Sequence, residues 1–200
     1  MDWVTTSTIL ERLHDFDDRS VWETFSRRFR RPLIAFARKV GVPDGEVDDV
    51  VQEILLAFID AFRRDQYDRQ KGRLSHWLFG IAYRQIANAR RKRAIEAGRK
   101  DPRGEKSSFW GGVPDEREAQ ATWDEEWEKS LIETCLRQAR SEVSESTYRA
   151  FEMVVRQGRT PDEAAAELKM TRNAVYVAKH RVLKRLEELM KDYEDLLPDR

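Results

Sequence analysis

A single cysteine, Cys135, excludes an internal disulfide, and its place on the helical stripe Trp127, Leu131, Cys135 marks it as a core residue rather than a nucleophile. The three histidines, His14, His76 and His180, share no metal-ligand spacing with one another or with Cys135. A phosphate-cradling glycine loop and a nucleophile motif are lacking too. Neither enzymatic chemistry nor a metal or other cofactor is therefore expected. No apolar run approaches the length of a membrane span, and the first residues carry no signal-peptide pattern. These absences predict a soluble, cytoplasmic protein without membrane insertion. The alternation of apolar and polar residues that marks a strand is missing throughout.

Net charge is also lacking, formally zero, but the signs are segregated. From Arg63 to Arg103 thirteen Lys/Arg stand against four Asp/Glu, and from Asp115 to Glu133 eight acidic residues stand against two basic ones. One surface thus suits a polyanion and another repels it. Only 40% of the 200 residues are apolar while 37% are charged, which fits small helical domains better than one large core.

Helical period runs along almost the whole chain. Thr6–His14 reads as a short amphipathic helix. Ser20 can cap the next, with Trp22, Phe25, Phe29, Leu33 and Phe36 on one face and Arg27, Arg28, Arg30 and Arg31 on the other; Pro32 predicts a kink or break. Gly41-Val42-Pro43-Asp44-Gly45 is a turn by composition. The strongest helix follows, EVDDVVQEILLAFIDAFRRD, with Val47, Val50, Val51, Ile54, Leu55, Phe58 and Phe62 as its core stripe. Leu56 and Ile59 fall off that stripe, beside Asp49, Gln52 and Glu53. Burial within the domain and docking to a partner both remain open for this second apolar side. After a polar loop ended by Gly72, RLSHWLFGIAYRQIANARRKR mixes Trp77, Phe79 and Tyr83 with Arg73, Arg84, Arg90, Arg91, Lys92 and Arg93, while Leu78, Ile81, Ala82, Gln85 and Ile86 can face a core. Such a helix binds melted or single-stranded nucleic acid, or else buries its rings and leaves a solvated basic tail.

Residues 95–121 carry Gly, Pro, Ser and charges without period and read as a flexible linker, with Trp110 an outlier in it. From Thr122 a helix of Trp123, Trp127, Leu131, Cys135 and Ala139 begins. Another follows Ser144, with Val143, Tyr148, Phe151, Val154 and Val155 apolar, and Gly158 is placed to end it. The stretch RTPDEAAAELKMTRNAVYVAKHRVLKRLEE then reads as two helices about a tight turn. Thr160, Pro161 and Glu163 form a capping box with proline at the first helical position. Lys169-Met170 is the turn, with a lysine where a glycine often stands, and Thr171 caps the second helix. Ala174, Val175, Ala178, Val182, Leu186 and Leu189 keep its apolar period and leave Arg172, Asn173, Tyr176, Lys179, His180 and Arg181 outside. That is the pattern of a helix-turn-helix reading duplex DNA, or of a helical hairpin with a solvated basic face.

In combination these segments resemble the bacterial sigma-70 family, specifically the extracytoplasmic-function (ECF) RNA polymerase sigma factors. Ser20–Arg93 is similar to region 2 of that family and Thr122–Leu189 to region 4. The resemblance implies an all-α fold of two small helical domains joined by a flexible linker: 1–94 for core polymerase and the −10 element, 95–121 as linker, and 122–200 for the −35 element. DDVVQEILLAF is similar to the family's region 2.2, so Asp49, Gln52, Glu53 and Leu56 would grip the beta-prime clamp of core RNA polymerase, with the beta flap as a further contact. LSHWLFGIAYRQIANARRKR resembles regions 2.3 and 2.4, which implies −10 reading and strand opening by Arg73, Trp77, Tyr83, Arg84, Asn88 and Arg91. The family often has Asn where Arg84 stands and Asp where Asn88 stands, so no −10 sequence is implied. Similarity to region 4.2 assigns Thr171, Arg172, Asn173, Tyr176, Lys179, His180 and Arg181 to the −35 duplex. Core RNA polymerase, promoter DNA and an anti-sigma factor are the partners implied. A stand-alone helix-turn-helix regulator and a sigma-like protein-binding adapter are the alternatives.

Overall fold

The computed structural model describes residues 12–13, 19–96 and 115–191. The expected helix at 6–14 lies outside them except for Arg12 and Leu13, both helical, and so do Trp110 and most of the expected linker. Seven α-helices are described: α1 Arg19–Lys39, α2 Asp44–Arg63, α3 Leu74–Glu96, α4 Glu116–Glu142, α5 Glu145–Phe151, α6 Pro161–Leu168 and α7 Arg172–Lys191. No strand occurs among the described residues, as the absence of alternation predicts.

The chain divides into two compact units, between Ser130 and Leu131. In the first, α1, α2 and α3 pack in sequence order. The core stripe expected on α2 is buried at every position from Val47 to Phe62. α1 buries Phe25, Phe29, Leu33 and Phe36 and, contrary to the expected break, runs unbroken through Pro32. Proline removes one backbone donor, but Pro32 is itself buried on the packed face, and contacts on the turns either side hold the helix. Phe25 stacks on Phe58 at 4.3 Å and meets Phe29 at 4.3 Å, and Phe36 meets Phe79 edge-on at 5.9 Å.

α4 begins at Glu116, six residues before the expected start at Thr122. Asp115 explains it: its carboxylate accepts the Arg117 N–H at 2.6 Å, and Glu116 and Glu118 favour the positive end of the helix dipole. Its first half also belongs to the first unit rather than to a separate C-terminal domain. Trp123 is fully buried, edge-on to Phe36 at 5.2 Å and 6.0 Å from Phe79, and Trp127 stacks on Phe29 at 5.3 Å.

In the second unit α5 and α6 pack on α7. Ser144 caps α5 by accepting the Thr147 N–H at 3.3 Å. A π-turn, Glu152–Arg156, follows and closes with the Gln157 N–H donating to the Glu152 carbonyl at 3.0 Å. Its extra residue rotates the chain, so Val155, expected in the apolar stripe, is exposed and Met153 is buried instead. Gly158, at φ +68°, ends the segment as expected. Ala150, Met153, Ala164, Val175 and Ala178 form a small core, against which Leu168 and Met170 pack.

Replacing Trp123 by Ala is expected to lower the stability of the first unit by about 3–5 kcal/mol, in urea or thermal unfolding followed by circular dichroism. A change below about 0.5 kcal/mol would mean that Trp123 is a surface residue. Lys169, at φ 53° and ψ 42°, takes the left-handed backbone that a Cβ disfavours. Lys169→Gly should stabilise the second unit by about 0.5–1 kcal/mol, since glycine relieves the strain at some entropic cost.

Candidate functional site

On α2, Asp49, Gln52, Glu53 and Leu56 follow one another at i, i+3, i+4 and i+7 and form a single exposed row opposite the core stripe. Leu56 is 57% exposed, whereas Ile59, expected beside it, is half-buried. The flanks of this row are tied down: Arg30 donates to Asp48 at 2.7 Å, Arg93 pairs with Glu46, and Arg64 lies 3.0 Å from Asp60. Among the described residues no ion pair engages Asp49 or Glu53. The second apolar side of α2 therefore reduces to one leucine in an acidic and amide setting, available to a partner.

α3 is entered through a closed loop. Asp68 accepts the Gln70 N–H at 2.9 Å, and that bond, with Lys71, holds its carboxyl below the usual carboxylate range. Trp77, Arg84, Asn88 and Arg91 are spaced by seven, four and three residues and so share one side of the helix. Arg84 and Asn88 are exposed, and Trp77 and Arg91 half-buried. The Trp77 ring borders an aromatic cluster, 5.1 Å from both Phe58 and Tyr67. It is neither a fully exposed stacking platform nor a core residue. Arg73 sits half-buried in the loop before the helix.

Tyr83 does not join this row. It is half-buried, 5.7 Å from Phe79, on the side of α3 where α4 begins. Burial, then Glu116 and Asp115, push its phenol pKa up. Burial pulls the Arg90 guanidinium down, against the opposing effect of Tyr83. The polyanion-suited and acidic stretches read from the sequence thus meet at Tyr83.

The helix-turn-helix forms as its capping residues dictate. The Thr160 N–H donates to Glu163 at 2.8 Å, the Glu163 N–H donates to the Thr160 hydroxyl at 3.3 Å, and the first bond chiefly holds the Glu163 carboxyl below its usual range. Thr171 accepts the Ala174 N–H at 3.1 Å and caps α7. Lys169 supplies the left-handed residue for which a glycine is usual. Arg172 leans over the Tyr176 ring at 5.8 Å and lies 3.5 Å from Asp162, contacts that favour its charged form. Arg172, Asn173, Tyr176, His180 and Arg181 are exposed with Thr171; Lys179 is half-buried at the edge. Val177, in the same outward face, was not singled out from the sequence, though it stands four residues from both Asn173 and Arg181.

Residues 25–95, α1 to α3 in essence, match the family model described as Sigma-70 region 2. The matched residues are the three-helix part of the first unit, which is similar to sigma-70 region 2. The match spans 71 of the 200 residues and does not extend to the second unit. No curated protein matches it. It is similar to the solved structure of CnrH in complex with the cytosolic domain of CnrY, at 20% identity over 92% of this chain and 95% of that chain. The TM-score is 0.34, a likeness too low to bear on fold or function.

With its pKa raised, Tyr83 favours the folded state in its neutral form. That contribution is complete below about pH 10, the ordinary tyrosine value, and vanishes as pH rises through the folded one. Alkaline titration of tyrosinate absorbance should show a phenol ionising above the ordinary range and absent from Tyr83→Phe. Ordinary ionisation of Tyr83 would mean that it is neither half-buried nor flanked by Glu116 and Asp115.

Proposed function

We propose that the protein is an ECF-type sigma factor: it binds core RNA polymerase, directs it to promoters and helps open them, and performs no reaction of its own. The observation that carries this reading is the exposed row Asp49, Gln52, Glu53 and Leu56, within residues that match the sigma-70 region 2 model. An apolar side chain ringed by acids and amides suits a partner with a basic, partly apolar surface, and the family resemblance gives the polymerase clamp that part. The row Trp77, Arg84, Asn88 and Arg91, with Arg73, would contact the −10 element and its unpaired bases. Tyr83 has a smaller share, since acidic groups flank it. Separating base pairs costs roughly 1.4 kcal/mol per stacked step. One half-buried tryptophan offsets that only where polymerase holds the strands.

α7 would enter the major groove of the −35 duplex by its N-terminal end, with Arg172 and Asn173 at base edges and Arg181 on phosphate. Contact with the beta flap, an anti-sigma factor and a cytoplasmic location complete the reading; no described helix is long and apolar enough to cross a membrane. A free-standing helix-turn-helix regulator accounts for α6 and α7 but leaves the α2 row without a use.

Run-off transcription with core enzyme and a promoter library tests the proposal directly. The double change Gln52→Ala, Glu53→Lys is expected to weaken binding to core enzyme at least tenfold without altering the helical circular dichroism. Undiminished affinity would remove α2 as the polymerase anchor. Specific duplex binding by the free protein, indifferent to core enzyme, would favour the regulator.

A further inference from the structure

The outward face of α7 is polar or charged except near Val177. Asn173, Val177 and Arg181 stand four residues apart in one row along that face, and all three are exposed, Val177 at 51%. The buried row Val175, Ala178, Val182 and Leu189 points away from it. The other exposed apolar side chains of α7 have local company. Tyr176 lies under the Arg172 guanidinium, and Leu183 borders the half-buried Lys179 and Leu186. One turn either side of Val177 stand exposed Asn173, His180 and Arg181, with only Ala174 half-buried.

A valine in that place weakens the helix relative to alanine and recovers nothing through burial. It does present two methyl groups in an almost fixed position, because a β-branched side chain in a helix keeps one χ1 rotamer. In the major groove a single base edge carries a methyl group, the C5-methyl of thymine. We infer that Val177 is a specificity-determining residue of the recognition helix, packing against a thymine methyl between the bases or phosphates met by Asn173 and Arg181. This rests on the proposed duplex reading by α7.

The test uses holoenzyme assembled from the full chain and core RNA polymerase, on a duplex selected from a randomised upstream library. Each thymine within the upstream footprint is replaced singly by deoxyuridine, which deletes the methyl and keeps the hydrogen-bonding edge. At one thymine the unmodified protein is expected to lose about three- to fivefold in affinity, the worth of one buried methyl group. Val177→Ala should bind thymine and uracil equally there, and Val177→Thr, which keeps one methyl, should fall between. Alanine favours an exposed helical site, so folding is not at risk. Wild-type binding indifferent to every replacement, or a thymine preference that survives Val177→Ala, overturns the inference and leaves duplex reading intact. Absence of any upstream footprint overturns the duplex reading and the inference together.

Discussion

Ring-on-ring packing in the first unit is the constraint on which the rest of that unit depends. A continuous series of contacts runs from Trp77 through Phe58, Phe25 and Phe29 to Trp127 and Trp123, with neighbouring centroids 4.3–5.3 Å apart. It joins α1, α2 and α3 to the first half of α4. Burying a large apolar side chain contributes about 1.5–3 kcal/mol, and favourable ring geometry adds to it. Few other sources exist in a chain with one cysteine and 40% apolar residues. Surface ion pairs such as Arg38–Asp44 contribute little.

The same packing positions the candidate surfaces. Because the α2 core stripe is locked against α1 and α3, the row from Asp49 to Leu56 has no side to face but solvent. Trp77 ends the aromatic series, so its ring is held on one side and open on the other. A tryptophan held in this way has little side-chain freedom left to lose on meeting a partner. Docking of α4 also brings Asp115 and Glu116 to Tyr83, setting negative charge beside the basic stretch of α3. That charge bounds the basic side of α3.

The second unit relies on different means. Its core is small, made of alanine, valine and methionine, and lets α6 and α7 approach closely. Backbone chemistry does much of the positioning: a capping box, a left-handed lysine, a π-turn and a capping threonine. The ion pair of Arg185 with Glu142, at 2.5 Å, ties α7 to the second half of α4 and pushes the Arg185 pKa up. The polar face of α7 is thereby aimed outward, with Arg172 held by Tyr176 and Asp162.

Local rules in the sequence by themselves determined most of the described helices, both capping residues of the helix-turn-helix and the full core stripe of α2. Each depends on neighbours within about four residues, and a 3.6-residue period or a Thr-x-x-Glu box records such relations directly. The row Asp49, Gln52, Glu53, Leu56 and most of the α7 face were legible for the same reason. Periodicity says that a helix has an apolar side but not which surface covers it. Only the tertiary structure could therefore assign Trp123 and Trp127 to the first unit, turn Tyr83 toward acidic groups, and leave Leu56 and Val177 in solvent. It likewise carried α1 through Pro32, because packing on both flanking turns outweighed the one hydrogen bond that proline removes.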